Sequence, residues 1–145
     1  MATGFGLRRD AVCFLRSHLV LNSAYFLAQE NLLALGPEVA AVTARYERMP
    51  QVAAPVRVQI VLARYPDATR ARAAAAGFRV SYLKAAKVQP DTQGPSVAQV
   101  EGGWTGHQRR GRCLAIALDC PNREAASLFV RDGLHALAAA GGCNE

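Results

Sequence analysis

The stretch Val56–Leu83, VRVQIVLARYPDATRARAAAAGFRVSYL, decides how this chain folds. Val56, Val58, Ile60 and Leu62 alternate with Arg57, Gln59 and Ala63. Strict period two is the signature of a strand with one buried side. Pro66 has no N–H to give to a ladder, so the strand ends there. Asp67 follows, placed to accept from the first free N–H groups of a helix and to sit well with its dipole. Ala71, Ala74, Ala75, Phe78 and Tyr82 then form one narrow apolar stripe at helical spacing. Most of these side chains are small, so the helix can lie close to a sheet. Gly77 weakens it by about 1 kcal/mol relative to Ala.

The same grammar returns at Arg112–Leu134, RCLAIALDCPNREAASLFVRDGL. Leu114, Ile116 and Leu118 share one face of a strand over Arg112–Asp119. Cys113, Ala115 and Ala117 make the other face, small throughout, as expected if another element packs close against it. Pro121-Asn122 repeats the corner, with Asn122 as the cap. The helix that follows buries Ala126, Phe129, Val130, Leu134 and Leu137 and stops at Gly141-Gly142.

Outward from these two units the signals weaken. Val97–Val100 reads as a strand joined to Arg112–Asp119 by EGGWTGHQRRG, a Gly-rich hairpin connection. Ala11–Asn22 reads as a strand, rich in Val, Leu and Phe. Glu38–Tyr46 reads as a helix, with Pro37 in its first turn and Val39, Val42 and Tyr46 at i, i+3 and i+7. The order from residue 56 is therefore β-α-β-β-α, most of a ferredoxin-like unit, preceded by an N-terminal strand and helix. The expected class is α+β, an antiparallel or mixed sheet with helices mainly on one face. Residues 1–145 make a single domain, with 1–10 lacking regular structure and 85–96 a flexible loop.

The 145 residues carry a net charge of +6 and are 51% hydrophobic, enough for one buried core. No apolar run approaches the ~20 residues of a membrane span. The opening MATGFGLRRD has no signal-peptide core. The expected location is cytoplasmic for a complete chain, and periplasmic or exported if an N-terminal signal precedes Met1. The basic balance fits either an anionic partner or simple Arg-rich composition. The four cysteines, at 13, 113, 120 and 143, form no C-x-x-C pair and no zinc spacing. Cys113 and Cys120 have opposite parity along one strand and are expected on opposite faces. Buried thiols with a frayed Cys143 are one reading. A Cys13–Cys113 disulfide, which needs an oxidising compartment, is the other.

Few residues promise chemistry. His18, His107 and His135 are the histidines, expected on a strand, in a loop and on a helix. No nucleophile elbow and no phosphate-binding loop occurs. Asp67 and Asp119 look like a carboxylate pair but read as a cap and a strand end. No catalytic residue, cofactor or metal site is expected. Trp104, His107, Arg109, Arg110 and Arg112 form the one candidate binding patch, an aromatic among cations of the kind that stacks on bases and touches phosphates.

HLVLNSAYFLAQENLLALG, ARYPDATRA and EGGWTGHQRRGRCLAIALDCP, in that order, resemble the C-terminal part of a family of uncharacterised bacterial proteins, a domain of unknown function. The matching positions are Leu21-Asn22 with Tyr25-Phe26, Tyr65-Pro66 with Ala71, and Trp104, Gly106 and Gly111 with Leu114. The resemblance covers roughly residues 15 to 130. It implies a longer protein with a related N-terminal half and often an export or lipoprotein signal. It carries no established catalytic residue. The leading expectation is a small non-enzymatic module, or a half-length relative of those proteins, that meets a protein partner or a second copy through an edge strand. The alternatives are a small-ligand protein or enzyme with a pocket near His18, Asn22 and Tyr25, and nucleic-acid binding through the 104–112 hairpin.

Overall fold

The computed structural model describes residues 6–15, 33–36, 38–48, 56–82, 95–100 and 103–143. The strands are β1 (Gly6–Leu15), β2 (Ala40–Arg48), β3 (Val56–Arg64), β4 (Ser96–Val100), β5 (Gly103–Arg110) and β6 (Cys113–Cys120). The helices are α1 (Ala68–Gly77), continued by a π-helical turn over Phe78–Tyr82, and α2 (Arg123–Gly141). The strands form one sheet in the order β1-β2-β3-β6-β5-β4, every neighbouring pair antiparallel. The class is α+β.

Both corners form as the residues dictate. Asp67 is extended and its carboxylate accepts from Arg70 N–H at 2.8 Å; Asn122 does the same for Ala125 N–H at 2.8 Å. Ala71, Ala74, Ala75 and Phe78 are buried, and the small face of β6 receives α2. Two glycines make that seat possible. A Cβ on Gly106 of β5 would stand 2.9 Å from the carbonyl oxygen of Ala126, and one on Gly133 of α2 would stand 2.6 Å from Leu62 Cδ2. At Gly106 the helix backbone comes too close for any side chain, whereas at Gly133 the neighbour is the mobile end of the Leu62 side chain. At the far end α2 stops on Gly142, φ +80°, while the Arg64 guanidinium donates to Leu137 O at 3.1 Å in the helix's last turns.

The expectation of helices mainly on one face does not hold. Strand parity assigns the sides. Val61 and Ala63 of β3 lie beside Ile116 and Leu114 of β6 and pack with Ala71, Ala74 and Phe78 of α1. Ile60 and Leu62 lie beside Ala117 and Ala115 and pack with Ala126, Phe129 and Val130 of α2. The helices therefore cover opposite faces, and β3 is buried on both sides, not one. Arg57 and Gln59 mislead here. Arg57 stands at the exposed end of β3, where it pairs with Glu47 at 3.2 Å; Gln59 is buried because its amide donates to Thr43 Oγ1 at 2.7 Å, which in turn donates to Ile60 O at 2.7 Å. A satisfied polar side chain can be buried at small cost.

The ferredoxin-like order is also overturned. Among the described residues three strands lie between the helices, the meander β4-β5-β6, and β6 runs antiparallel to β3. The expected hairpin connection is largely β5. Its glycines look like loop residues, yet Gly106 is a packing requirement of a strand beneath a helix. Glu38–Tyr46 is likewise no helix. Ala40–Arg48 pairs with β3 along its whole length, from Ala40↔Arg64 to Arg48↔Val56. Val39 packs on the α1 side and Tyr46 on the α2 side, so the helical spacing that seemed to unite them is accidental. β1 begins at Gly6 and ends at Leu15, so residues 6–10 are strand where no regular structure was expected, and 16–22 fall outside the described residues. Most of the 85–96 loop falls outside them too, and Ser96 opens β4.

The cysteines need three corrections. Cys143 is not frayed: it is buried and disulfide-bonded to Cys113, with Cα atoms 5.2 Å apart. Arg112 N–H donates to Cys143 O at 2.9 Å, seating the chain after α2 against β6. Cys13 lies on β1, separated from β6 by two strands. At about 4.8 Å per strand that is roughly 14 Å, twice the reach of a disulfide. Cys120 shares the α2 face with Cys113 despite its opposite parity. Asp119 has φ +59°, and the β5–β6 register shifts between Trp104 and Gly106, which turns the last residue of β6 over.

Candidate functional site

The five residues of the expected basic patch sit on or just after β5, and the pleat divides them. Trp104 lies opposite Cys120 on the α2 side, with the Arg123 guanidinium 5.2 Å from its ring centre. Arg110, on the same side, is exposed. His107 lies opposite Ile116 on the α1 side, 3% exposed, its ring 5.5 Å from Phe78 in an edge-on contact. Arg109 faces that side as well and donates to Gly111 O at 2.8 Å. Arg112 follows in the β5–β6 turn, half-buried. The structure thus brings Trp104 to a cation, but on α2, and takes His107 into the core.

The other candidates are equally dispersed. His135 is exposed on α2. Asp67 caps α1 and Asp119 holds the turn-over of β6, so they make no carboxylate pair. His18, Asn22 and Tyr25 lie outside the described residues. Among the described residues no group of three or more His, Cys, Asp or Glu side chains could hold a metal ion, and no helix is long and apolar enough to cross a membrane. Burial dominates the titrating groups that depart from ordinary behaviour. It raises the Tyr65 hydroxyl, which donates to Leu33 O. It pushes the Cys120 thiol up to about 12, with Asp119 adding to the shift. Both are core groups held neutral, not poised reagents.

The feature that sequence reasoning only anticipated in general is the pair of sheet edges. β1 is blunted: Arg8, Arg9 and Asp10 lie within it, and its pairing with β2 slips between Arg8 and Cys13. Charge and irregularity are how natural edges resist further pairing. β4 is the opposite. Its sequence SVAQV has no charge and no proline, and it pairs with β5 in unbroken register from Ser96↔His107 to Val100↔Gly103. Val97 packs on the α2 side and Ala98 and Val100 on the α1 side, so the strand is held flat from both faces. No described strand pairs with its outer edge. The alternation in SVAQV is legible in the sequence; that it forms an edge is not, because the glycines of β5 look like those of a loop.

No family model, no curated protein and no solved structure matches this chain.

Proposed function

We propose that this chain is a small non-enzymatic interaction module that takes up an extended segment of a protein partner along the outer edge of β4. One observation carries the reading: an uncharged, regular edge strand, Val97–Val100 above all, anchored on both faces of a six-stranded sheet whose other edge is blunted. Main-chain hydrogen bonds supply affinity in this mode, and side chains at alternate positions supply specificity. The resemblance to longer proteins makes a related N-terminal half one candidate partner. The burial of His107 and the Arg123 guanidinium over the Trp104 ring favour a protein over a nucleic acid, since stacking on bases needs an open aromatic face.

The test is selection of extended peptides from a displayed random library on the full chain, with the binding site mapped by backbone amide NMR. The reading expects selected peptides of alternating apolar pattern that shift the amides of Val97–Val100. Gln99→Lys, an exposed position on that strand, should abolish binding without changing stability, because an edge lysine opposes strand addition. Peptides that map elsewhere and ignore Gln99→Lys would refute the proposal. Binding of a single-stranded oligonucleotide that is lost with Arg109→Ala plus Arg110→Ala would favour nucleic acid instead.

A further inference from the structure

Among the described residues, α2 covers only part of its face of the sheet. It packs on β3, β6, β5 and β4, and between it and the β2–β3 hairpin a cleft of about 320 Å³ is left. Ile60 and Leu62 form its apolar floor. Tyr46 and Phe129 stand beside each other in its wall, ring centres 5.1 Å apart and tilted by 54°. Asp132, His135 and Ala136 line it from α2. Burial raises the pKa of the Tyr46 hydroxyl, and the negative charge of Asp132 adds to the shift. The volume lies at the lower end of the range for small-molecule sites, ~300–1,000 Å³. A carboxylate beside two aromatic rings over an aliphatic floor is the chemistry that holds an organic cation: the ring faces and the carboxylate both attract positive charge.

The register extends this site. Leu62 pairs with Val42 on β2, and Val42 with Phe14 on β1, so the three lie in one row on the α2 face. Phe14 is 80% exposed. Two strand spacings carry this row about 10 Å outward from the cleft. An apolar row that starts at a cleft holding a carboxylate and ends in an exposed aromatic, on a chain of net charge +6, is a local reversal of the molecule's overall character.

We propose that the cleft between α2 and the β2–β3 hairpin binds a small organic cation with an alkyl or aryl body, its charge at Asp132 and the Tyr46–Phe129 pair and its chain along Leu62, Val42 and Phe14. This does not depend on the β4 edge. The probes are butyl-, hexyl- and octyltrimethylammonium, each below its aggregation concentration, with octyl sulfate as the charge-reversed control, measured by calorimetry and amide NMR on the full chain. Wild-type protein is expected to bind the cations more tightly as the chain lengthens, and octyl sulfate at least about tenfold more weakly, the difference one charged contact makes. Asp132→Asn should erase the preference for the cation, and Asp132→Glu should restore part of it. Phe14→Ser should leave the butyl probe unchanged and remove the gain from butyl to octyl. Equal binding of octyl sulfate and the octyl cation, or no binding of any cation, overturns the proposal. The comparison of probes on wild-type protein decides the matter even if a variant fails to fold.

Discussion

Gly106→Ala probes the close seating of α2 on β5, on which the two-sided core depends. The added Cβ would stand 2.9 Å from Ala126 O, 3.1 Å from Val130 Cγ2 and 3.2 Å from Ala126 C. Two of these atoms are helix backbone, so relief requires α2 or β5 to shift. Overpacking of this kind costs roughly 1–3 kcal/mol. Alanine returns about 0.4–1 kcal/mol by restricting the unfolded chain. The net expectation is a loss of about 1–2 kcal/mol, a fall in Tm of roughly 3–8 °C for a chain of this size. Gly103→Ala is the matched control: its Cβ would meet Asp119 Cα at 3.5 Å, ordinary contact. That variant should lie within about 0.5 kcal/mol of wild type. Urea unfolding followed by fluorescence measures both, because Trp104, the single tryptophan, lies two residues from Gly106 and under Arg123. If Gly106→Ala is as stable as Gly103→Ala, α2 does not sit on β5 as described.

Other consequences follow from the cysteines and the buried hydroxyl. A non-reducing digest should contain a Cys113–Cys143 linked peptide. The two are 30 residues apart, so the chain-entropy argument gives a loss of roughly 3–4 kcal/mol for Cys143→Ser, read as a lower urea midpoint that reducing agent reproduces in wild type. Such a bond also calls for an oxidising compartment. Native Cys120 should resist alkylation at pH 8, since burial and Asp119 push its thiol up to about 12. The same shift fixes the sign of a pH effect. Between an unfolded thiol near pH 9 and the folded value, the native state holds the proton more tightly, so stability is full below about pH 9 and falls as pH rises. Cys120→Ala should flatten that fall between pH 9 and 10, leaving the decline from Tyr65, also raised by burial, at higher pH.

What could be read from residues alone was local. Pro66-Asp67 and Pro121-Asn122 specify their corners within a few residues, and both caps form as expected. The small face of Cys113, Ala115 and Ala117 foretold a close neighbour, and α2 is that neighbour. The failures were non-local. Val39, Val42 and Tyr46 match a helix and a strand equally, and only pairing with β3 decides between them. Gly106 looks the same whether it bends a loop or admits a helix. The partner of Cys113 could not be found from spacing, because it depends on where α2 ends. The candidate patch is divided for a simple reason. Trp104 and His107 differ in parity, and once β5 is a strand its pleat sends them to opposite faces. The cleft at Tyr46 and Asp132 joins residues 86 positions apart, and nothing short of the fold brings them together.

The proposed role rests on an outer β4 edge that is open in the free chain, and residue-resolved amide hydrogen exchange measures that directly. In a strand paired on one side, successive amides point alternately toward β5 and away from it. Over Val97–Val100, protected and rapidly exchanging amides should therefore alternate in the free protein, and the fast set should become protected when an extended peptide binds. Uniform protection of Val97–Val100 in the free chain would mean that the edge is already occupied, and the interaction reading would fail.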